Sequence, residues 1–324
     1  MHLICAAQVK NSGFTSIDKR VKSINIGEPG KLSRALTNPY KTEIEKTRAI
    51  FRWITENIAY DVQGAKFPNL IYRGLKDNSI QNDSLFNRDY NLKIVLKILT
   101  ERKAICDGYS RLFKTLCDSA KIKCVIISGN IRWHSDQIGT TTNRRHAWNA
   151  VFINNKWHLI DATWASGYWE ESTDTFVKKF EDFFFFTDPI DFFNDHFPDD
   201  SKWSLLPNTP TLSQFFNFPF IYPEFYNTGI TSLKPLNGTI SIAKSAPFVN
   251  IEMEVKKPVE SVEVIEYPQR DDTANDYVDN SPIEYSVQHG KLVIQYKILS
   301  EKTERIDIRI NDERVLTYAI HHSW

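Results

Sequence analysis

Three short stretches decide the prediction of fold and site in this chain: ICDGYS at residues 105–110, HAWNAV at 146–151 and WHLIDATW at 157–164. They supply a cysteine, a histidine and an aspartate, in that order. A thiol attacks as its thiolate, which a histidine can generate while a carboxylate holds the imidazole in one tautomer. These residue types therefore predict a triad of Cys106, His146 and Asp161.

Cys106 falls at the start of a predicted helix. Apolar side chains recur every three or four positions from Tyr109 to Ala120, which is the spacing of an amphipathic helix. The free N–H groups of a first helical turn favour a thiolate and can donate to the oxyanion of an acyl-transfer reaction. Taken alone, a buried and inert cysteine is the commoner outcome for this residue type.

The other two stretches are predicted to form a hairpin around the Asn-Asn pair at 154–155, which tolerates the positive φ angles of a type I′ turn. With a two-residue turn there, Trp148 lies opposite Asp161. His146 is then the diagonal neighbour of Asp161, and diagonal Cα atoms are about 7–8 Å apart. Most of this face is apolar, and a buried carboxylate needs a partner. We therefore expect His146 to pair with Asp161, the alternative being a strand-edge histidine and a turn-opening aspartate.

The N-terminal two thirds predict an α+β core. Residues 42–58 and 90–102 carry apolar side chains at helical spacing, and residues 123–129 are β-branched and predict a strand. We place this core at 40–206 and interpret the polar residues 1–39 as a loose arm.

The remaining residues predict a second, all-β domain. Residues 207–236 are rich in proline and phenylalanine and are interpreted as a packed linker. In 237–324, seven short alternating runs are separated by turn residues, which is typical of a small β-sandwich.

Composition excludes several classes of protein. The formal net charge is zero and no long basic run occurs, so a nucleic-acid partner is not expected. No apolar stretch approaches the roughly 20 residues that a membrane span needs. The four cysteines form no C-x-x-C pair, and His134, His158 and His196 share no predicted face with a second ligand, so we predict neither a metal nor a cofactor. The sequence leaves the oligomeric state open.

The N-terminus suggests export. The segment HLICAAQ at 2–8 is similar to the end of a secretory signal, with small residues at a cleavage point. We expect a secreted or periplasmic protein, with the cytoplasm as the alternative.

The three stretches also resemble the transglutaminase-like superfamily, whose core is papain-like. The resemblance rests on a Cys-x-Gly-Tyr helix start, His-Ala-Trp and Trp-x-x-x-Asp in this order, after a leading helix with FRWITENIAYD at 51–61. Within the superfamily the chain is similar to the kyphoscoliosis peptidase family over about residues 40–235. That likeness is carried by HAWNAV at 146–151, DATWASG at 161–167, FTDP at 186–189 and HFPDD at 196–200.

The resemblance implies Cys106 as nucleophile, His146 as base and Asp161 as the group that orients it. We assign the neighbouring aromatic side chains to substrate binding: Tyr109, Trp148 and Trp164. Related enzymes use a side-chain donor upstream of the cysteine for the oxyanion. Trp53 is the upstream tryptophan, but its helix pattern predicts a core position, so this donor stays unassigned. The β-rich tail is comparable to the immunoglobulin-like modules of such proteins.

Our leading hypothesis is a thiol-dependent peptidase or amidase that acts on a protein or peptide substrate. Its cysteine would form a thioester with the acyl group of that substrate. The first alternative is a protein-crosslinking transglutaminase, in which an amine replaces water. The second is a non-catalytic protein-binding scaffold, because some members of the superfamily have lost the nucleophile.

Overall fold

The computed structural model describes residues 12–67, 84–268 and 283–324. The helices are α1 (Thr15–Val21), α2 (Pro29–Thr37), α3 (Glu43–Asn57), α4 (Val62–Lys66), α5 (Ser84–Glu101), α6 (Cys106–Ser119), α7 (Pro189–Phe193) and α8 (Leu212–Phe216). The strands of the N-terminal part are β1 (Ala59–Tyr60), β2 (Lys103–Ala104), β3 (Cys124–Ile131), β4 (Arg145–Ile153), β5 (Lys156–Ile160), β6 (Gly167–Glu170), β7 (Thr175–Lys178), β8 (Phe185–Thr187) and β9 (His196–Pro198).

The N-terminal part contains an antiparallel sheet of order β8-β5-β4-β3-β9. Helices α1, α2, α3, α5 and α6 share one hydrophobic core with this sheet. Helix α3 confirms the prediction for 42–58. Its start is fixed by a capping box, in which Thr42 accepts from the Glu45 N–H and the Glu45 carboxylate accepts from the Thr42 N–H. Such a cap stabilises a helix by about 1 kcal/mol.

Helix α6 begins at Cys106, as predicted. Ile105 precedes it in an extended conformation, and the buried face of the helix packs on β4. That face consists of Tyr109, Leu112, Phe113 and Leu116, all with no exposed surface. The apolar repeat thus fixes which side of the helix faces the sheet, and it places Cys106 at the end nearest the start of β4.

The hairpin confirms the predicted turn and register. Asn154 and Asn155 have φ angles of 52° and 60°, and the ladder runs from Ile153↔Lys156 to Asn149↔Ile160. The expected pairing of Trp148 with Asp161 is wrong, because β5 ends at Ile160, directly before Asp161. The N–H of Asp161 donates instead to the carbonyl of Phe184, at 3.1 Å.

The described part of the predicted loose arm, residues 12–39, is folded. Helices α1 and α2 bury Ile17, Val21, Leu32 and Leu36 in the main core. Two apolar pairs at i, i+4 spacing among polar residues are a weak indication of helices in the sequence. Short helices are marginal on their own, and burial against α3 stabilises these two. The signal-like segment 2–8 lies outside the described residues. Helix α5 begins before the predicted start at residue 90.

The C-terminal part consists of two sheets. Its strands are β10 (Phe220–Ile221), β11 (Ile230–Lys234), β12 (Thr239–Ile242), β13 (Phe248–Val255), β14 (Val262–Pro268), β15 (Glu284–Gln288), β16 (Lys291–Lys297), β17 (Thr303–Ile310) and β18 (Glu313–His322). One sheet has the order β10-β18-β17-β14 with β12 beside β18, the other β11-β13-β16-β15, and both contribute to one core.

All seven strands predicted in 237–324 are present as β12 to β18. The predicted linker 207–236 is more than a linker, since β10 and β11 lie within it and join the two sheets. Their partners are distant in sequence, so the local composition did not show the pairing. Among the described residues, no helix is long and apolar enough to cross a membrane.

Candidate active site

Asp161 lies at the centre of the site and is fully buried. Its Oδ1 accepts hydrogen bonds from the backbone N–H groups of Thr163, at 2.7 Å, and Trp164, at 3.1 Å. Its Oδ2 faces Nε2 of His146 at 2.6 Å and Nε2 of His196 at 3.1 Å. The turn after β5 therefore holds a carboxylate with donors on both oxygens. Burial alone would raise the pKa of Asp161, but the charge of His146 and the hydrogen bonds from both histidines hold it well below its usual range.

His146, near the start of β4, is 6% exposed. Burial alone would lower its pKa, but the carboxylate of Asp161 and the negative charge of a Cys106 thiolate, with hydrogen bonds to both groups, raise the pKa of His146 to about 10. The imidazolium is thus favoured at neutral pH. Because Nε2 is engaged by Asp161, Nδ1 is the nitrogen left to exchange a proton with a reacting group.

Cys106 is half-buried at the first position of α6. No side chain caps this helix, so its first-turn N–H groups are not occupied by a capping oxygen. The structure brings His146 and Asp161 into direct contact. Cys106 lies close enough to His146 for its charge to act on the imidazole. The catalytic roles of the three residues remain a prediction.

The aromatic residues assigned to substrate binding differ in exposure. Tyr109 has no exposed surface, and its hydroxyl donates to the Ile58 carbonyl at 2.7 Å. Trp148 is 1% exposed and lies beside the imidazole of His146, with ring centroids 6.1 Å apart. Both side chains are buried in the core, and the assignment of the three aromatic residues to substrate binding stays a prediction. Trp164 is half-buried and can still face a substrate.

His196 was missed by the sequence analysis. Strand β9 pairs with β3, which lies next to β4, and this brings His196 to the Asp161 carboxylate. The expectation that His196 shares no face with a second ligand is therefore wrong. The HFPDD motif at 196–200 marked the segment, but a three-residue strand gives no periodicity from which its partner could be inferred.

The same three side chains, His146, Asp161 and His196, offer nitrogen and oxygen atoms within 4.8 Å of one another, the spacing of a potential metal site. The separations along the cluster, 2.6 and 3.1 Å, are hydrogen-bond lengths. Two tetrahedral zinc ligands at 2.0–2.1 Å from the ion lie about 3.3 Å apart. The donor set fits a hydrogen-bonded ion cluster better than a metal centre.

Tyr60 is a second residue that was missed. The parallel pairing of β1 with β2 puts Tyr60 beside Ala104, two residues before Cys106. Burial, followed by the charge of Cys106, raises the pKa of the Tyr60 hydroxyl well above its usual value, so it stays a hydrogen-bond donor. Trp53 is a core residue as predicted, and its indole N–H donates to the Ile24 carbonyl at 2.7 Å.

Comparison with known proteins agrees with the sequence motifs. A family model described as the transglutaminase-like superfamily matches residues 30–162. Kyphoscoliosis peptidase of Mus musculus is 33% identical over 242 residues, covering 74% of this chain and 34% of that protein. Kyphoscoliosis peptidase of Homo sapiens is 33% identical over 213 residues, covering 65% of this chain and 29% of that protein. The chain thus spans about a third of the length of these curated relatives.

Among solved structures, the crystal structure of a TGase aligns with a TM-score of 0.26 at 18% identity, covering 48% of this chain and 34% of that chain. The family match contains Cys106, His146 and Asp161, whereas His196 lies beyond its end. Residues 30–162 therefore form a domain of the transglutaminase-like superfamily, and the chain is similar to kyphoscoliosis peptidases over most of its length.

Proposed function

We propose that this chain is a thiol-dependent peptidase or amidase that acts through Cys106, His146 and Asp161. The observation that carries the proposal is the 2.6 Å hydrogen bond between His146 and the buried Asp161. A carboxylate in that position holds an N–H on Nε2 and leaves Nδ1 for the thiol. The raised pKa of His146 supports an imidazolium beside Cys106. We propose a thiolate–imidazolium pair as the resting state.

The first half of the reaction is acyl transfer to sulfur. Sγ of Cys106 attacks the amide carbonyl carbon, and the carbonyl oxygen takes the negative charge. The carbonyl re-forms as the C–N bond breaks, and Nδ1–H of His146 gives its proton to the leaving amine. The products of this half are a free amine and a thioester on Cys106, with His146 neutral.

The second half of the reaction hydrolyses the thioester and regenerates the free enzyme. Neutral His146 takes a proton from water at Nδ1, and the oxygen attacks the thioester carbonyl. The C–S bond then breaks, which releases a carboxylic acid and restores the thiolate–imidazolium pair. If an amine replaces water, the same steps give a transamidation, so the two outcomes differ only in the second acceptor.

The oxyanion needs donors at the start of α6. The uncapped N–H groups of the first turn are one source, since a helix N-terminus favours negative charge. The hydroxyl of Tyr60, which is close enough to Cys106 for their charges to interact, is our proposed side-chain donor. We also propose that the C-terminal part is an immunoglobulin-like module, since its two sheets contribute to one core.

The test is a product assay on a mixed peptide library with a labelled primary amine. New peptide N-termini report hydrolysis of the chain, conversion of glutamine to glutamate reports side-chain amidase activity, and incorporation of the amine reports transamidation. We expect wild type to give hydrolysis products and Cys106→Ser to give none. Cys124→Ser is the matched control, because this buried cysteine of β3 is remote from the reaction, and it should keep activity.

Two results would overturn the proposal. A folded wild-type protein that gives no product supports a non-catalytic scaffold, and products that persist in Cys106→Ser assign the activity to another group. Amine incorporation in place of hydrolysis would identify a transglutaminase.

A further inference from the structure

We propose that His196 and Asp195 form a positioning dyad that keeps the Asp161 carboxylate ionised and aimed at His146. The proposal rests on the function proposed above, since it concerns the group that orients the base. His196 touches no reacting atom and acts through Asp161, so it is a positioning residue.

The dyad is defined by two contacts of one imidazole. Nε2 of His196 is 3.1 Å from Oδ2 of Asp161, and Nδ1 of His196 hydrogen-bonds to Oδ1 of Asp195. His196 is 1% exposed, and neither of its ring nitrogens is available to water. Each nitrogen therefore faces a carboxyl oxygen with no competing partner.

Counting protons fixes the arrangement. A neutral imidazole carries one N–H and one lone pair, and a lone pair that faces an ionised carboxylate is repelled. The His196–Asp195 pair must therefore hold two protons, either as imidazolium with carboxylate or as imidazole with carboxylic acid. Both forms are neutral overall, and both present Nε2–H to Asp161.

The extra proton belongs to the dyad and not to Asp161. Asp161 already accepts from His146 and from two backbone N–H groups, and this favours its ionised form. Burial raises the pKa of Asp195, whereas burial alone would lower the pKa of His196 but Asp195 and Asp161 raise it. Both shifts act in the direction of a protonated dyad.

Among the described residues, three charged groups act on the dyad. They are His146, whose ring centroid is 5.5 Å from that of His196, Asp161 itself, and the buried Arg132, which attracts Asp195. Arg132 donates hydrogen bonds to the backbone carbonyls of Asn194, Phe218 and Pro219.

Aromatic rings surround the imidazole of His196. The ring centroids of Phe192, Trp164 and Trp148 lie 4.0, 4.6 and 5.1 Å from that of His196. These rings keep water from replacing the imidazole as a donor to Asp161. They also make a phenyl ring a good steric substitute for it.

The first variant is therefore His196→Phe, in the full chain, with His158→Phe as the matched control. His158 is the half-buried histidine of β5 that stacks on Phe186 at 4.3 Å. The readout is the titration of the Asp161 carboxyl by ¹³C NMR, which needs no substrate. We expect His196→Phe to raise the titration midpoint of the Asp161 carboxyl by at least about one pH unit, because one charge-assisted donor is lost. His158→Phe should leave that midpoint unchanged.

A second variant, His196→Gln, keeps an amide N–H that can still reach Asp161. It should reverse part of the upward shift and retain part of the activity. For His196→Phe we expect kcat/KM to fall by about 10–100-fold, by analogy with the loss of a hydrogen-bond partner behind a metal-bound histidine. A merely structural role would lower Tm in both variants without moving the carboxyl titration.

The failures of the two proposals are distinguishable. If wild type shows no catalysis but the Asp161 titration shifts in His196→Phe, the proposed function fails and the dyad stands. An Asp161 carboxyl that titrates alike in wild type and in folded His196→Phe overturns the dyad.

Discussion

His146 and Asp161 are joined by a 2.6 Å hydrogen bond between side chains that are 5% and 0% exposed. The pairing arises because the hairpin places the end of β5 beside β4, and Asp161, the first residue after β5, contacts His146 of that strand. At such burial, neither side chain keeps its charge without the other. The pair is thus a unit, and its loss should affect chemistry and stability together.

Replacing Asp161 by asparagine should abolish most of the activity without unfolding the protein. The amide is similar in shape, but it carries no charge and can present an N–H to Nε2 of His146, which selects the wrong tautomer. By analogy with a serine-protease triad, we expect kcat to fall by about 10⁴-fold, measured by steady-state kinetics.

Asp199→Asn is the control for this variant. Asp199 pairs with the exposed Arg145 and does not contact the site. Its replacement should leave kcat within about twofold, since exposed pairs contribute at most about 1 kcal/mol. Equal losses in the two variants would contradict the role of Asp161.

The raised pKa of His146 predicts a particular pH dependence of stability. Its folded-state value is about 10, against 6.5 for an ordinary histidine. The contribution of protonated His146 is complete below pH 6.5 and is lost as the pH rises through about 10, at no more than about 1.4 kcal/mol per pH unit. The difference in free energy of unfolding between wild type and His146→Gln, measured in urea, should therefore shrink from pH 7 to pH 10. A constant difference would disprove the shift.

Tyr60→Phe removes only the proposed oxyanion donor. We expect kcat to fall by about 100-fold, in the range found for single oxyanion donors, with little change in KM or Tm. Tyr168→Phe is the matched control, because Tyr168 is 48% exposed on β6. Unchanged kcat in Tyr60→Phe would leave the helix N–H groups as the donors.

Gly129 supports the site through its lack of a side chain. It pairs with His146 across β3 and β4, and a Cβ there would lie 2.1 Å from the Phe197 carbonyl oxygen and 2.5 Å from the Trp148 ring. Gly129→Ala should therefore destabilise the protein by at least about 1–3 kcal/mol, as overpacking does, and disturb His146. Gly27→Ala has open space around it and should be neutral in the same thermal denaturation experiment. Equal Tm values for the two variants would refute the close approach.

The parts of the site that could be predicted from the sequence are those set by the spacing of apolar residues within one helix or hairpin. The helical repeat after Cys106 and the Asn-Asn turn at 154–155 each determine which side chains share a face. This sufficed to place His146 beside Asp161, although Asp161 lies one residue beyond its strand.

The missed residues sit on elements too short to show a period. His196 lies on a three-residue strand, and Tyr60 on a two-residue strand whose partner is more than forty positions away. Their places follow from long-range pairing, which local spacing does not encode. The helices of residues 15–37 were missed for a related reason, since their apolar faces become evident only once the core they cover is known.

The reactivity of the Cys106 thiol is measured by its alkylation with iodoacetamide as a function of pH, followed by peptide mass spectrometry. If His146 holds Cys106 as a thiolate, Cys106 should react at least about tenfold faster than a free thiol at pH 6, since the thiolate is the reactive form. The variant His146→Gln should abolish this excess rate. A wild-type Cys106 that reacts no faster than a free thiol at pH 6, in a folded protein, would contradict the proposed thiolate.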